Sequence, residues 1–193
     1  MITVDRRGQA VTVVAFSGIA SRNHLFEWAT STRGLPANFI GVQDPHNAWY
    51  QIETETFVRK IHRALKKTRC SRIVCLGGSA GGYAALLFGG LFVADRIVAF
   101  CPQTVCGPLK RQLGDDRFPE YCLHTPHTSY SDLSGSTDQA TIHYAEDDEM
   151  DVFHAGRVTC RKVAHKAGGH SLPKLLKATG ELDAILHEAV TRW

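Results

Sequence analysis

Short runs rich in β-branched residues alternate with helical patterns along the whole chain, and this alternation constrains the fold more than any other feature. It is typical of a parallel sheet with helices on both faces, because each parallel connection must cross over the sheet. We therefore predict an α/β fold, a three-layer α/β/α sandwich around a mostly parallel six-stranded sheet. The predicted strands are 11–16, 38–42, 72–76, 96–101, 141–145 and 159–164.

Three segments between or after these strands have helical patterns. Phe57, Ile61 and Leu65 recur at helical spacing in residues 53–67, which predicts a helix with one apolar face. Residues 82–93 are apolar on nearly every side, so this helix is predicted to be the most buried one. The last predicted helix covers 173–190, with Pro173 in its first turn.

Length and composition indicate one folded domain, residues 1–193. The chain has 44% hydrophobic and 21% charged residues, an ordinary globular mixture. Its formal charge is only +3 and its basic residues are mostly dispersed, so we expect no nucleic-acid partner. No apolar stretch has the length of a signal peptide or membrane span, and the six cysteines form no Cys-x-x-Cys pair. We expect a cytoplasmic protein without membrane insertion; the oligomeric state stays open.

The third predicted strand leads directly into Gly77-Gly78-Ser79-Ala80-Gly81-Gly82 and then into the buried helix. This is a Gly-x-Ser-x-Gly pattern at a strand–turn–helix junction, which predicts Ser79 as a nucleophile on a sharp turn. The amide of Ala80, at the helix N-terminus, is then free to bind an oxyanion. The alternatives are a glycine-rich phosphate loop or a plain tight turn. No Lys-Ser or Lys-Thr follows the glycines, which excludes a Walker loop.

With this junction in place, the chain resembles the α/β-hydrolase superfamily over nearly its whole length. The six predicted strands look like the last six of that fold's eight, so the resemblance implies a reduced fold without the antiparallel N-terminal strands. It also implies an acid after the strand at 141–145 and a base after the final strand. Residues 145–148 resemble the family's Gly-x-x-Asp, which favours Asp148 as the acid; Asp147 and Asp151 remain alternatives.

The same resemblance assigns the base to His170. Gly168-Gly169-His170 precedes the last helix in the way the family places its histidine, whereas His165 lies too close to the end of its strand. Ser79, Asp148 and His170 then follow one another in the chain order of this fold. A second oxyanion donor is expected from the loop after the first strand, at the amide of Gly18 or Ile19; a plain turn there is an equal alternative.

Substrate contacts are predicted near the carboxyl ends of the strands, where ligands bind in open α/β sheets. Trp49 and Tyr50 could form an apolar wall. The alternative is that Asp44-Pro45 begins a turn and Trp49 packs on a neighbouring helix. Gln103 follows the fourth strand and is a further candidate. The segment 102–139 is long, polar and without periodicity, so we interpret it as a lid. His124 and His127 lack further ligands at a metal-site spacing, and we predict no metal and no cofactor.

Three functions follow from this pattern. The first is a serine hydrolase that acts on a small carboxylic ester or thioester, and the second is an acyltransferase with the same three residues. The third is a catalytically silent binding module, since a fold alone does not confer a function. Residues 100–104, together with Asp44-Pro45 and Trp49-Tyr50, look like a bacterial subgroup found beside glycan-building enzymes, which includes accessory-secretion O-acetyltransferases. This resemblance implies a glycan as one acceptor for the second function.

Overall fold

The structure is a computed structural model that describes residues 1–19, 21 and 26–193, with Ser136 described through its backbone alone. Within these residues, seven strands form one sheet in the order β1-β3-β2-β4-β5-β6-β7. All neighbouring pairs are parallel except β1 with β3. The strands are β1 (Ile2–Asp5), β2 (Val11–Phe16), β3 (Asn38–Val42), β4 (Arg72–Gly78), β5 (Arg96–Phe100), β6 (Gly135–Ala145) and β7 (Val158–His165).

The predicted α/β architecture is confirmed, and each of the six predicted strands is present. The strand count was one too low, because β1 pairs antiparallel with β3 at the edge of the sheet. The expectation that every antiparallel N-terminal strand would be missing is therefore wrong. β1 has only four residues, none of them fully buried, so its apolar pattern in the sequence is weak.

Seven α-helices accompany the sheet in the described part of the chain. The predicted C-terminal helix is divided into two at Gly180, whose φ of +80° ends one helix in a conformation that glycine adopts readily. None of the described helices has both the length and the apolar character needed to cross a membrane. The helices are α1 (Thr54–Thr68), α2 (Ala80–Phe92), α3 (Gly107–Gln112), α4 (Pro119–Cys122), α5 (Glu149–Gly156), α6 (Leu172–Thr179) and α7 (Glu181–Thr191).

The core lies in two layers, one on each face of the sheet. Val14 and Phe16 of β2 point into one layer, which contains the apolar faces of α1 and α2. Val13 and Ala15 point into the other, which contains α6 and α7. The alternation follows from the two-residue period of a strand. Central strands are buried on both faces, so their carboxyl ends form a rigid base for the loops that follow them.

The segment interpreted as a lid is shorter than predicted, because β6 already begins at Gly135. The remaining connection between β5 and β6 contains α3 and α4. A buried ion pair holds it: Lys110 Nζ lies 3.0 Å from Asp115 Oδ1, and both side chains are fully buried. The connection is thus tied down by specific polar contacts, and part of it lies against the candidate site.

Candidate active site

Ser79 occupies a sharp turn between β4, which ends at Gly78, and α2, which begins at Ala80. Its φ of +55° is unusual for a residue with a side chain and represents local backbone strain. The Ser79 amide donates a hydrogen bond to the Phe100 carbonyl at 2.9 Å, which fixes the turn against the neighbouring strand. The side chain is only partly buried, so a small molecule can approach Oγ.

Glycines allow this turn to form because the backbone segments are in close contact. A Cβ atom at Gly77 would lie 2.0 Å from the Gly81 carbonyl oxygen, and one at Gly81 would lie 2.3 Å from the Phe16 carbonyl oxygen. Neither oxygen belongs to a flexible side chain, so neither could move aside easily. The glycines of the motif are therefore required for strand and helix to approach each other.

His170 lies in a single 3-10 turn, Gly169–Ser171, that follows β7. Its Nε2 atom is 2.8 Å from Ser79 Oγ, so the structure brings these two predicted site residues together. The Asp147 carboxylate accepts hydrogen bonds from the amides of Gly168 and Gly169, at 3.2 and 2.9 Å, and so orders the loop that carries His170.

His165, the other histidine considered for the base, contacts His143 instead of Ser79. Its Nε2 atom lies 3.2 Å from His143 Nδ1. Burial lowers the pKa of His143 to about 4, so that side chain is neutral near pH 7. His165 therefore belongs to a separate pair of histidines on β6 and β7.

Asp151, and not the favoured Asp148, contacts His170, so the structure contradicts the predicted contact of Asp148. Asp151 Oδ1 is 2.8 Å from His170 Nδ1. Helix α5 begins at Glu149, so Asp148 is its N-cap. The Asp148 carboxylate accepts the Asp151 amide hydrogen bond at 3.0 Å. Asp151 lies in the first turn, where its side chain faces the histidine loop.

Asp151 is fully buried, yet its surroundings favour the charged form. Burial opposes ionisation, but hydrogen bonds with His170 and Arg117 outweigh it and lower the pKa of the carboxyl group. The Cys101 thiol lies close to the same carboxylate; burial and that negative charge raise the pKa of Cys101 well above its usual value. Asp151 is consequently an anion and Cys101 a neutral thiol near pH 7.

The backbone amides predicted to bind an oxyanion differ in whether they already donate a hydrogen bond. Ala80 is the first residue of α2, so its amide has no acceptor within the helix. The Gly18 amide donates a hydrogen bond to Glu27 Oε2 at 2.9 Å and is therefore occupied by a carboxylate. Gly18, Ile19 and Ala80 all line the same small recess. Of the two donors predicted after β2, Ile19 is the better candidate in this arrangement.

Two of the predicted substrate contacts, Trp49 and Tyr50, are core residues, and this prediction was wrong. Both are almost completely buried. Trp49 Nε1 donates to Gln103 Oε1 at 3.1 Å, and the Tyr50 hydroxyl donates to the Ser17 carbonyl at 2.8 Å. Gln103 is also fully buried. Its backbone N–H donates a hydrogen bond to the Ser79 carbonyl oxygen at 3.3 Å. None of the three side chains is exposed for a substrate.

A polar network that no sequence motif predicts lies behind Asp151. Arg117 Nη1 donates to Asp151 Oδ1 at 2.8 Å, while Nε and Nη2 of the same guanidinium bind the two oxygens of Asp115 at 2.9 and 2.8 Å. His154 Nε2 lies 2.8 Å from Asp115 Oδ2. These residues lie on the connection after β5 and on α5, and no local motif marks them. The one sequence signal for Arg117 and Asp115 is that they are charged residues in the segment 102–139, which is predicted to lie near the site.

Comparisons with known proteins give structural matches alone. No protein-family model and no curated protein sequence matches this chain. Its structure is similar to the Glycosylation Associate Protein (Gap123) complex from Streptococcus agalactiae, with a TM-score of 0.72 and 17% identity, covering 100% of this chain and 44% of that one. It is also similar to the capsule O-acetyltransferase of Neisseria meningitidis serogroup A, with a TM-score of 0.67, 16% identity and coverage of 96% and 90%.

A third similar structure is Est1E from Butyrivibrio proteoclasticus, with a TM-score of 0.67 and 12% identity. The match covers 99% of this chain and 93% of Est1E. An α/β hydrolase from the metagenome of lagoon sediments gives a TM-score of 0.55 at 15% identity, over 97% of this chain and 92% of that one. At such low identity these matches establish architecture and leave the reaction open. Together with the strand order and the serine turn, they show that this chain has the α/β-hydrolase fold.

Proposed function

We propose that the protein is a serine hydrolase that cleaves a carboxylic ester or thioester through an acyl-enzyme. The observation that carries this proposal is the continuous contact from Ser79 Oγ to His170 Nε2 and from His170 Nδ1 to Asp151, each step 2.8 Å long. A serine, a histidine and a buried carboxylate in this order form the arrangement that activates a hydroxyl group for attack on an acyl carbon.

The geometry gives each residue a role. With the Nδ1 proton donated to Asp151, His170 Nε2 can accept the Ser79 proton as Oγ attacks the acyl carbon. The oxyanion that forms is bound by the amide of Ala80 and, in our proposal, by that of Ile19. His170 then protonates the leaving alcohol or thiol, which leaves the acyl group on Ser79. Water attacks this ester with His170 as the base, releasing the carboxylic acid and the free serine.

Acyl transfer to a hydroxyl acceptor is the second candidate function. The partial enclosure of the site supports this candidate. The His170 side chain is 21% exposed, and the Phe118 ring of the connection lies 6.5 Å from the imidazole between ring centres. A covered site can exclude water from an acyl-enzyme. One of the similar structures is a capsule O-acetyltransferase, and another is Est1E.

One assay tests both candidates. We expect 4-nitrophenyl acetate to give an initial burst of nitrophenol followed by steady turnover, because acylation and deacylation are separate steps. The amount of nitrophenol released measures acylation of the enzyme, and the amount of acetate released measures hydrolysis of the acyl-enzyme. A hydrolase releases both in equal amounts when glycerol or a sugar is added, whereas an acyltransferase releases less acetate than nitrophenol. Absence of turnover on aryl esters and acyl thioesters of several chain lengths would favour the binding module.

A further inference from the structure

Arg117 brings a guanidinium group from the connection after β5 into contact with both partners of the proposed acid–base pair. Its Nη1 atom lies 2.8 Å from Asp151 Oδ1 and 2.9 Å from His170 Nδ1. The oxygen that faces the imidazole therefore also accepts a hydrogen bond from a cation. Such a cation reduces the effect of the carboxylate on the charge of the histidine.

Asp115 fixes the guanidinium from behind. It binds Nε and Nη2 of Arg117 with its two oxygens, and this paired geometry restricts the side chain to one orientation. Lys110 and His154 hold Asp115 in turn. The Thr104 amide donates to His154 Nδ1 at 3.1 Å, so the His154 proton is on Nε2 and is donated to Asp115. Arg117 cannot leave Asp151 without disturbing this buried set of contacts.

Arg117 is positively charged near pH 7. Burial opposes its charge, but the hydrogen bonds with Asp115 and Asp151 dominate and raise the pKa of the guanidinium above its usual value. Asp115 also remains charged. Its burial acts in the opposite direction, but contacts with His154, Arg117 and Lys110 hold the pKa of its carboxyl group far below the usual value.

The other groups around His170 can be assigned as well. Asp148 lies 3.6 Å from Arg117 and caps α5, and Asp147 binds the loop amides at Gly168 and Gly169. Cys101 is a neutral thiol that lies 3.7 Å from the Gly169 carbonyl oxygen. Among the described contacts of the imidazole ring, Asp151 supplies the negative charge and Arg117 the positive one.

We infer that Arg117 is a positioning residue of the proposed reaction, which holds Asp151 in place and opposes a positive charge on His170. The neutral imidazole is the form that can accept the Ser79 proton, and the guanidinium beside Nδ1 favours that form. This inference rests on the proposed function, in which His170 accepts a proton from Ser79. A purely structural Arg117 would stabilise the connection without affecting how the reaction depends on pH.

Removing the positive charge is expected to move the acid side of the pH profile upwards. Arg117→Gln removes the cation that lies 2.9 Å from His170 Nδ1, so the acid limb of the kcat/KM profile is expected to move to higher pH, by roughly one unit. Asp115→Asn has the opposite effect, because it leaves the Arg117 charge uncompensated, and the midpoint moves down. Arg111→Gln is the matched control: Arg111 lies on the same connection but pairs with exposed Asp116, so the midpoint stays.

Each variant is measured in two ways, by the pH dependence of kcat/KM and, without substrate, by that of the His170 ring resonances in NMR spectra. Shifts of opposite sign in Arg117→Gln and Asp115→Asn support the inference. An unmoved midpoint in either folded variant, even with a lower rate, would overturn it. If Arg117→Gln does not fold, Asp115→Asn decides alone. If the wild-type protein turns over no ester, the proposed function fails, while the resonances still report whether Arg117 controls the charge of His170.

Discussion

Ser79→Ala is expected to reduce steady aryl-ester hydrolysis by a factor on the order of 10⁴ to 10⁶, because the covalent route requires the hydroxyl group. Alanine keeps the Cβ atom and the backbone of the turn, so thermal unfolding should change little. Residual activity comes from the oxyanion amides, which the substitution leaves in place.

Ser71→Ala provides the matched control for this variant. Ser71 precedes the same strand, β4, but is exposed at its opposite end. Its substitution should leave both the rate and the unfolding temperature unchanged. Hydrolysis by Ser79→Ala at more than a tenth of the wild-type rate would show that another group performs the chemistry.

The second large effect is expected at the acid. Asp151→Asn should lower kcat by about 10⁴, because an amide cannot hold the imidazole in the tautomer with its proton on Nδ1 or stabilise the imidazolium. Asp148→Asn should retain activity within about a factor of ten, since asparagine is nearly as good an N-cap as aspartate. The two variants are compared by steady-state kinetics at the optimum pH, with circular dichroism to verify folding.

Asp148 and Asp151 are three residues apart at the start of the same helix. The comparison therefore separates the effect of the contact with His170 from that of the N-cap. If Asp148→Asn were the more damaging change, the contact between Asp151 and His170 would not be the one used in the reaction. If neither mattered, the carboxylate would have no part in activating the histidine.

Ser79 could be predicted from the sequence because it lies in a glycine-rich turn after a buried strand, and His170 because Gly168-Gly169-His170 resembles the family's histidine loop. Glycines at these positions report a backbone constraint, and that constraint places the side chain. The acid could not be predicted securely, because it depends on where helix α5 begins. Asp148 and Asp151 are three residues apart at the start of this helix, so the position of the start decides which aspartate is the N-cap and which one faces the loop.

Burial of polar side chains was the other feature that the sequence did not reveal. Trp49 and Tyr50 carry polar groups that could serve either a ligand or the backbone, and only the fold shows that Gln103 and the Ser17 carbonyl bind them. Arg117 is a similar case. Its partners lie 34 and 53 residues away along the chain, so no local pattern indicates the contact.

Labelling with a fluorophosphonate probe tests most directly whether His170 activates Ser79. The probe reacts with an activated serine hydroxyl, and mass spectrometry of the digested protein locates the adduct. The contacts predict one adduct, on Ser79, and at least a hundredfold slower labelling in His170→Ala, because the base is then missing. An adduct at another residue, no adduct on the folded protein, or equal labelling rates with and without His170 would contradict the account.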